Sequence, residues 1–406
     1  MNDLNKRPII TFFLWIIASI FLSAASFAQD VTEVVKANNQ FAFDLYAKYK
    51  QKDENIFFSP YSISAALAMT YEGARGVTKE EIQKVFHFPK EDSVLREGFQ
   101  ALYKSINKED KVYQLHVANA LWAQKDFKFL DDYLSIIEQY YFGKATNLDF
   151  FNQAESSRIT INKWVEDRTN NKIRDLIPQG NISASTRLVI TNTVYFKGMW
   201  LFEFNKKNTR AEDFYLYTGD TVKAEMMRLA EKHFDYAETE NLQILELLYK
   251  GNKLSMLILL PKEKNLSVLE DSLTLEKLIA LKKMLNSESV NIFIPKLKFE
   301  TKYFMAEDLK TMGMPIAFTA EADFSGMTGT RNLGIDEVIH QAFVDIDEEG
   351  TEAAAATAVE TRYLSGSPDY FNKPKIFNAD HVFVFIIQDR ETGNILFLGR
   401  VLNPNE

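Results

Sequence analysis

Five histidines are the side chains best suited to acid–base or metal chemistry near neutral pH: His87, His116, His233, His340 and His381. No two of them stand at a metal-ligand spacing, and there is no H-E-x-x-H. The chain also lacks a G-x-S-x-G elbow and a G-x-x-x-x-G-K-S/T phosphate loop. It contains no cysteine, which removes disulfides, thiolate zinc sites, iron–sulfur clusters and a cysteine nucleophile. A hydrolase triad assembles in space, so pattern alone does not exclude one. Nothing, however, sets one serine beside a base. Each histidine reads as structural, with His340 the one to follow, and no cofactor or metal is implied.

Chemistry done to the chain is another matter. Residues 348–365 run Glu-Glu-Gly-Thr-Glu-Ala-Ala-Ala-Ala-Thr-Ala-Val-Glu-Thr-Arg-Tyr-Leu-Ser. Four consecutive alanines favour a helix by intrinsic propensity. At period two the segment reads differently. Thr351, Ala353, Ala355, Thr357, Val359 and Thr361 share one parity, and all are small or β-branched and uncharged. The other parity, Glu352, Ala354, Ala356, Ala358, Glu360 and Arg362, holds every charge. That is a strand with one face for a core and one for water. The segment is therefore suited to two states, an exposed loop and a strand within a sheet. Small side chains suit the switch, because they enter a packed sheet without overfilling it.

The surrounding elements must hold such a segment. The chain has 406 residues, 46% hydrophobic, with 47 basic and 56 acidic side chains and a net charge of −9. That balance argues against nucleic acid or an anionic membrane as the main partner. Residues 1–28 read as a cleaved export signal: Lys6 and Arg7, an apolar run over Ile9–Leu22, then small residues ending Ser26-Phe27-Ala28. An uncleaved membrane anchor is the alternative. Residues 29–406 then form one domain, secreted to the periplasm or the medium, with no linker, repeat or low-complexity run. Val31, Val34, Val35, Phe41, Leu45, Tyr46 and Tyr49 recur at helical spacing, and Ser62–Tyr71 is a second apolar helix. Thr78 and Glu81 form a capping-box pattern before Ile82, Val85 and Phe86. Leu188–Phe196, Leu254–Leu260, Val290–Phe299 and Val382–Ile387 are dense apolar runs suited to strands, the third limited by Pro295. Helices lead and strands dominate the second half, which predicts an α+β fold. Lys104, Lys108 and Lys111 alternate with Glu109 and Asp110, a mixed solvated face rather than a polyanion site.

Five segments carry a resemblance to the serpin family. Asn55-Ile-Phe-Phe-Ser-Pro-Tyr-Ser-Ile63 resembles the start of its second helix, and Thr191-Asn-Thr-Val-Tyr-Phe-Lys-Gly-Met-Trp200 a central strand and turn. Asp347-Glu-Glu-Gly-Thr-Glu-Ala-Ala354 resembles the hinge, and residues 377–385 and 397–404 the C-terminal strands. The similarity spans essentially residues 30–406, of a secreted, inhibitory, bacterial type. It implies three β-sheets, eight or nine helices and an exposed reactive loop over about residues 348–376.

The function implied is inhibition of serine endopeptidases by suicide substrate, without enzymatic turnover. The protease cleaves the loop and is acylated. The freed loop then enters the main sheet as a strand, an established case of strand addition and of released strain. About 15 residues at ~3.3 Å each would carry the tethered protease ~50 Å. Counting seventeen residues from Glu348 ends at Leu364, so the resemblance places the cut at Leu364–Ser365. Leu364 suits an elastase-, chymotrypsin- or subtilisin-like enzyme. Tyr363 suits similar pockets, and Arg362 would suit a trypsin-like one. Residues 365–374 look longer than usual for the family, so more than one bond is open to attack. By the same resemblance Glu348, Gly350, Thr351, Ala353, Ala354, Ala355 and Ala356 form the hinge. Ser59, Ser62, Asn192 and His340 would form a buried gate, and Trp200, Lys296 and Glu348 the point where insertion begins. A monomer is expected. A non-inhibitory carrier or chaperone is the alternative.

Overall fold

The computed structural model describes residues 29–107, 113–351 and 373–406. The first half is mainly helical. Helix α1 covers residues 29–49 and buries Val34, Val35, Phe41, Leu45, Tyr46 and Tyr49, the stripe read from the sequence. Strand β1 (Ile56–Phe58) leads into α2 (Pro60–Gly73), capped by Ser59, whose Oγ accepts the Ser62 N–H at 3.2 Å. Pro60 stands at the first turn, where its missing N–H costs nothing. Every residue of α2 is buried, because it lies between β-layers rather than on a surface. Helices α3 (Gly76–Phe86) and α4 (Asp92–Ile106) follow, then β2 (Tyr113–Gln124), α5 (Asp131–Ile136), β3 (Lys144–Leu148), α6 (Phe150–Arg168) and β4 (Leu188–Met199).

The second half is mostly strand: β5 (Arg210–Tyr215), β6 (Thr221–Glu238), β7 (Leu242–Leu248) and β8 (Leu254–Pro261). Helices α7 (Ser267–Ser272) and α8 (Leu275–Lys282) precede β9 (Asn286–Pro295) and β10 (Leu297–Phe304). After α9 (Ala306–Met312) and α10 (Ser325–Thr328) come β11 (Glu337–Ile346), β12 (Gly350–Thr351), β13 (Lys375–Asn378), β14 (Phe383–Asp389) and β15 (Ile395–Val401). The fold is α+β.

Two sequence expectations change. The run Val290–Phe299 is two strands in different sheets: β9 ends at Pro295, Lys296 turns, and β10 begins at Leu297. Thr78 and Glu81 do not cap α3, which starts earlier, at Gly76. They accept backbone N–H groups of Asp323 (2.9 Å) and Ile316 (2.9 Å), tying α3 to the segment before β11.

The main sheet has the strand order β10-β11-β12-β4-β2-β3. One face packs on α2 through Leu121, Ile190, Val194, Val338 and Ala342, part of the principal core. The other face, through Ala120, Trp122, Val189 and Ile339, packs on Phe150, Ile161 and Val165 of α6. This alternation is the period-two consequence of strand geometry. The remaining strands form one hydrogen-bonded ladder, β1-β15-β14-β8-β7-β6-β9-β13, with β5 on β6. It corresponds to two of the three sheets implied by the family. They are continuous here because β6 runs through both, bending at a bulge between Leu229 and Lys232 where Glu231 is left-handed.

Candidate loop-insertion site

Within the main sheet β4 and β11 are parallel neighbours, paired from Val189↔Glu337 to Tyr195↔Phe343. Beyond Tyr195 they separate, and β12 lies between them. Gly350 opposes Met199, and Thr351 opposes Gly198 on one side and Ile346 on the other. The sheet is thus already parted at one end by two residues of the hinge.

Chemistry at that end holds the hinge in place. The backbone N–H groups of Trp200 and Phe204 donate to the carbonyls of Glu349 (2.9 Å) and Glu348 (2.8 Å). The Trp200 indole donates to the Asp347 carbonyl at 3.0 Å. Asp347 Oδ1 accepts the N–H groups of Glu349 (2.9 Å) and Gly350 (3.2 Å), which closes a tight turn. The Glu348 carboxylate is buried, with Lys296 Nζ at 3.0 Å and the Thr209 hydroxyl at 2.7 Å. Burial would raise its pKa, but those two partners outweigh burial and hold it below the usual value. Lys206 pairs with Glu349 beside it. Thr351 is 1% exposed, and its hydroxyl meets the Tyr249 hydroxyl at 2.8 Å. Tyr249 in turn stacks on Trp200 at 4.6 Å.

Two glycines make this approach possible. A Cβ on Gly350 would lie 2.0 Å from the Gly198 carbonyl oxygen, and one on Gly198 would meet the Phe196 and Tyr249 rings. Neither position tolerates a side chain without displacing backbone or buried aromatics.

Midway along the β4–β11 pairing, a polar network crosses the strand boundary. His340 of β11 is fully buried and faces Asn192 of β4, its register partner. Its Nε2 accepts the Ser59 N–H at 3.2 Å, so a neutral ring must carry its proton on Nδ1, bonded to Asn192 Oδ1. Asn192 Nδ2 donates to Ser62 Oγ and to Asn119 Oδ1. Burial pushes the His340 pKa down to about 3, which keeps the ring neutral and this arrangement intact at ordinary pH.

The structure brings Ser59, Ser62, Asn192 and His340 together, and separately Trp200, Lys296, Glu348, Gly350 and Thr351. The hinge residues Ala353–Ala356 and the bait residues Arg362, Tyr363, Leu364 and Ser365 lie outside the described residues. Asn119, Thr209 and Tyr249 belong to these clusters and were missed in the sequence. Each sits in an ordinary strand or turn context: the register of β2 on β4 reveals Asn119, and side-chain contacts to Glu348 and Thr351 reveal Thr209 and Tyr249. Among the described residues no group of His, Cys, Asp and Glu could hold a metal ion, and no helix is long and apolar enough to cross a membrane.

The serpin (serine protease inhibitor) family model matches residues 36–404. The chain belongs to the serpin family. An uncharacterised serpin-like protein of Methanosarcina acetivorans is 45% identical over 92% of this chain and 88% of its own length. Leukocyte elastase inhibitor A of Rattus norvegicus is 37% identical over 92% of this chain and all of its own. The crystal structure of human thyroxine-binding globulin with its ligand superposes with a TM-score of 0.84, at 32% identity over 93% of this chain and 100% of that one. This serpin therefore shares a family with protease inhibitors and with a protein named for binding a small ligand.

Proposed function

We propose that this serpin is exported by its N-terminal signal and, as a cofactor-free monomer, traps serine-type endopeptidases by cleavage-triggered loop insertion. The observation that carries the reading is the position of Thr351, seated between β4 and β11 with backbone partners on both sides. A strand continued from Thr351 would part β4 from β11 along Tyr195 to Val189. Its inward parity would start with Thr351 and continue through Ala353, Ala355, Thr357, Val359 and Thr361, with no charge to bury. Each residue added would gain ladder hydrogen bonds on two sides, and that gain drives the protease's displacement. The bait bond is Leu364–Ser365, with Tyr363 and Arg362 as neighbouring sites, and the target has an elastase-, chymotrypsin- or subtilisin-like pocket.

The test is incubation with an elastase- or subtilisin-like enzyme, followed by a denaturing gel and mass spectrometry of the released C-terminal peptide. A covalent complex with a peptide beginning at Ser365 is expected. Cleaved product without complex for every protease tried would overturn inhibition and favour the carrier or chaperone reading.

A further inference from the structure

A partly open cavity of about 120 Å³ lies beside the hinge, between β6, β7 and the turn that follows β4. Its size is near that of the ~150 Å³ apolar cavity known to accept one benzene ring. Trp200, Phe202, Phe204 and Phe234 supply aromatic walls, and Asp235 and Glu246 supply carboxylates. Phe202 and Phe234 meet edge to face at 5.8 Å. We propose that this cavity binds a small aromatic ammonium ion, its ring among the aromatic walls and its charge toward Asp235.

Charge decides for a cation. Glu246 and Asp235 share one guanidinium. Arg390 Nε lies 3.2 Å from Glu246, but its nearest approach to Asp235 is 3.8 Å. Lys282 donates to Gln388 Oε1 at 2.7 Å and acts on Glu246 only through space. Burial, together with the neighbouring Glu246 carboxylate, raises the Asp235 pKa despite Arg390, so a further positive charge relieves an existing cost. The rings already attract cations: Lys232 Nζ lies 5.6 Å from the Phe202 centroid. Glu231, Lys232 and His233 precede Phe234 on β6 and are exposed, and Glu288 is the register partner of Phe234 on β9. An anion would meet both carboxylates, and a neutral arene would leave Asp235 as it is.

Occupancy bears on the hinge, because Trp200 and Phe204 carry the backbone donors to Glu349 and Glu348. A ligand packed on these two rings stabilises the seated hinge.

Isothermal titration of the full chain with benzylammonium tests the site, with benzyl alcohol and benzoate as probes of the alternatives. Saturable one-to-one binding is expected, about tenfold tighter than benzyl alcohol and absent for benzoate. Phe202→Ala, at the exposed rim, and Asp235→Asn should each weaken it about tenfold, with unchanged circular dichroism. If Asp235→Asn does not fold, Phe202→Ala decides alone. No saturable heat at any soluble concentration, equal affinity for benzyl alcohol, or undiminished binding by the folded variants would overturn the proposal. No protease enters the assay, so its failure leaves the inhibitor reading untouched.

Discussion

Replacing Thr351 by arginine tests insertion at the position where it has begun. Thr351 is 1% exposed, with its hydroxyl on Tyr249 and its backbone between Gly198 and Ile346. A guanidinium there has no acidic partner in place of the Tyr249 hydroxyl. An unpaired buried charge costs several kcal/mol after relaxation. Taking about 3 kcal/mol on the insertion barrier slows insertion roughly a hundredfold. Deacylation is the protease's own chemistry and keeps its rate. The partition between trapping and hydrolysis then shifts by the same factor. Molecules consumed per protease equal one plus the ratio of hydrolysis to trapping, so an inhibitor consumed at about two per protease would become one consumed at roughly a hundred. The assay is titration of residual protease activity against inhibitor concentration, with gels to count complex and cleaved chain. Thr351→Val is the control. It removes the Tyr249 hydrogen bond without adding charge, at about 1 kcal/mol, and should raise the stoichiometry far less. An unchanged stoichiometry for Thr351→Arg would falsify the requirement that Thr351 enter a closed, apolar sheet.

Three further outcomes follow from the same geometry. His340 titrates at about 3 when folded but near ~6.5 in the unfolded chain, so protons bind the unfolded state first. Its contribution is whole above ~6.5 and declines toward about 3, with about 2 kcal/mol lost by about pH 5; urea midpoints at two pH values check this, and His340→Leu should flatten the dependence. Asn119→Ala leaves Asn192 and Ser62 short of a buried partner and should cost about 1–3 kcal/mol in the same assay, whereas a midpoint within error of wild type would show that the network relaxes around the loss. Gly350→Ala places a Cβ against the Gly198 carbonyl oxygen and should expel the hinge from between β4 and β11. Faster limited proteolysis after Glu348 reports it, and an unchanged cleavage rate would mean that the hinge reseats.

Legibility in the sequence depended on which interactions are local. The α1 stripe, the apolar helix over Ser62–Tyr71 and the runs within β4, β8 and β14 were readable, because periodicity acts over a few residues. Thr351, the first residue of the uncharged parity, is buried, while the rest of that pattern lies outside the described residues. What failed was pairing information. Thr78 and Glu81 carry a local capping signal, yet tertiary donors from Asp323 and Ile316 take their oxygens. Lys296 looked like part of one strand, although it is the turn between two sheets. Asn119 joins the gate only because β2 and β4 place it opposite Asn192. Family resemblance supplied Ser59, Ser62, Asn192 and His340, but not the proton position on His340, which follows from the Ser59 N–H.

Under the proposed insertion, the two clusters divide the work of a sheet that must stay closed and then open. At the end already parted, contacts to the hinge are made mainly to backbone carbonyls of residues 347–349 by Trp200 and Phe204. Such bonds accept any side chain and fix position without selecting sequence. Selection comes from the Glu348 carboxylate between Lys296 and Thr209 and from the space around Thr351, where Gly198 and Gly350 leave no spare volume. Further down, β4 and β11 are joined by directional bonds through Asn192 and His340 and anchored on α2 by Ser59 and Ser62. An apolar contact weakens gradually as strands separate, whereas a buried hydrogen bond that breaks leaves a donor or acceptor bare at about 1–3 kcal/mol. A network of several such bonds opposes partial opening more strongly than it opposes complete replacement by a new strand. The absence of cysteine fits the same demand, since a covalent bridge across β4 and β11 would forbid both steps equally.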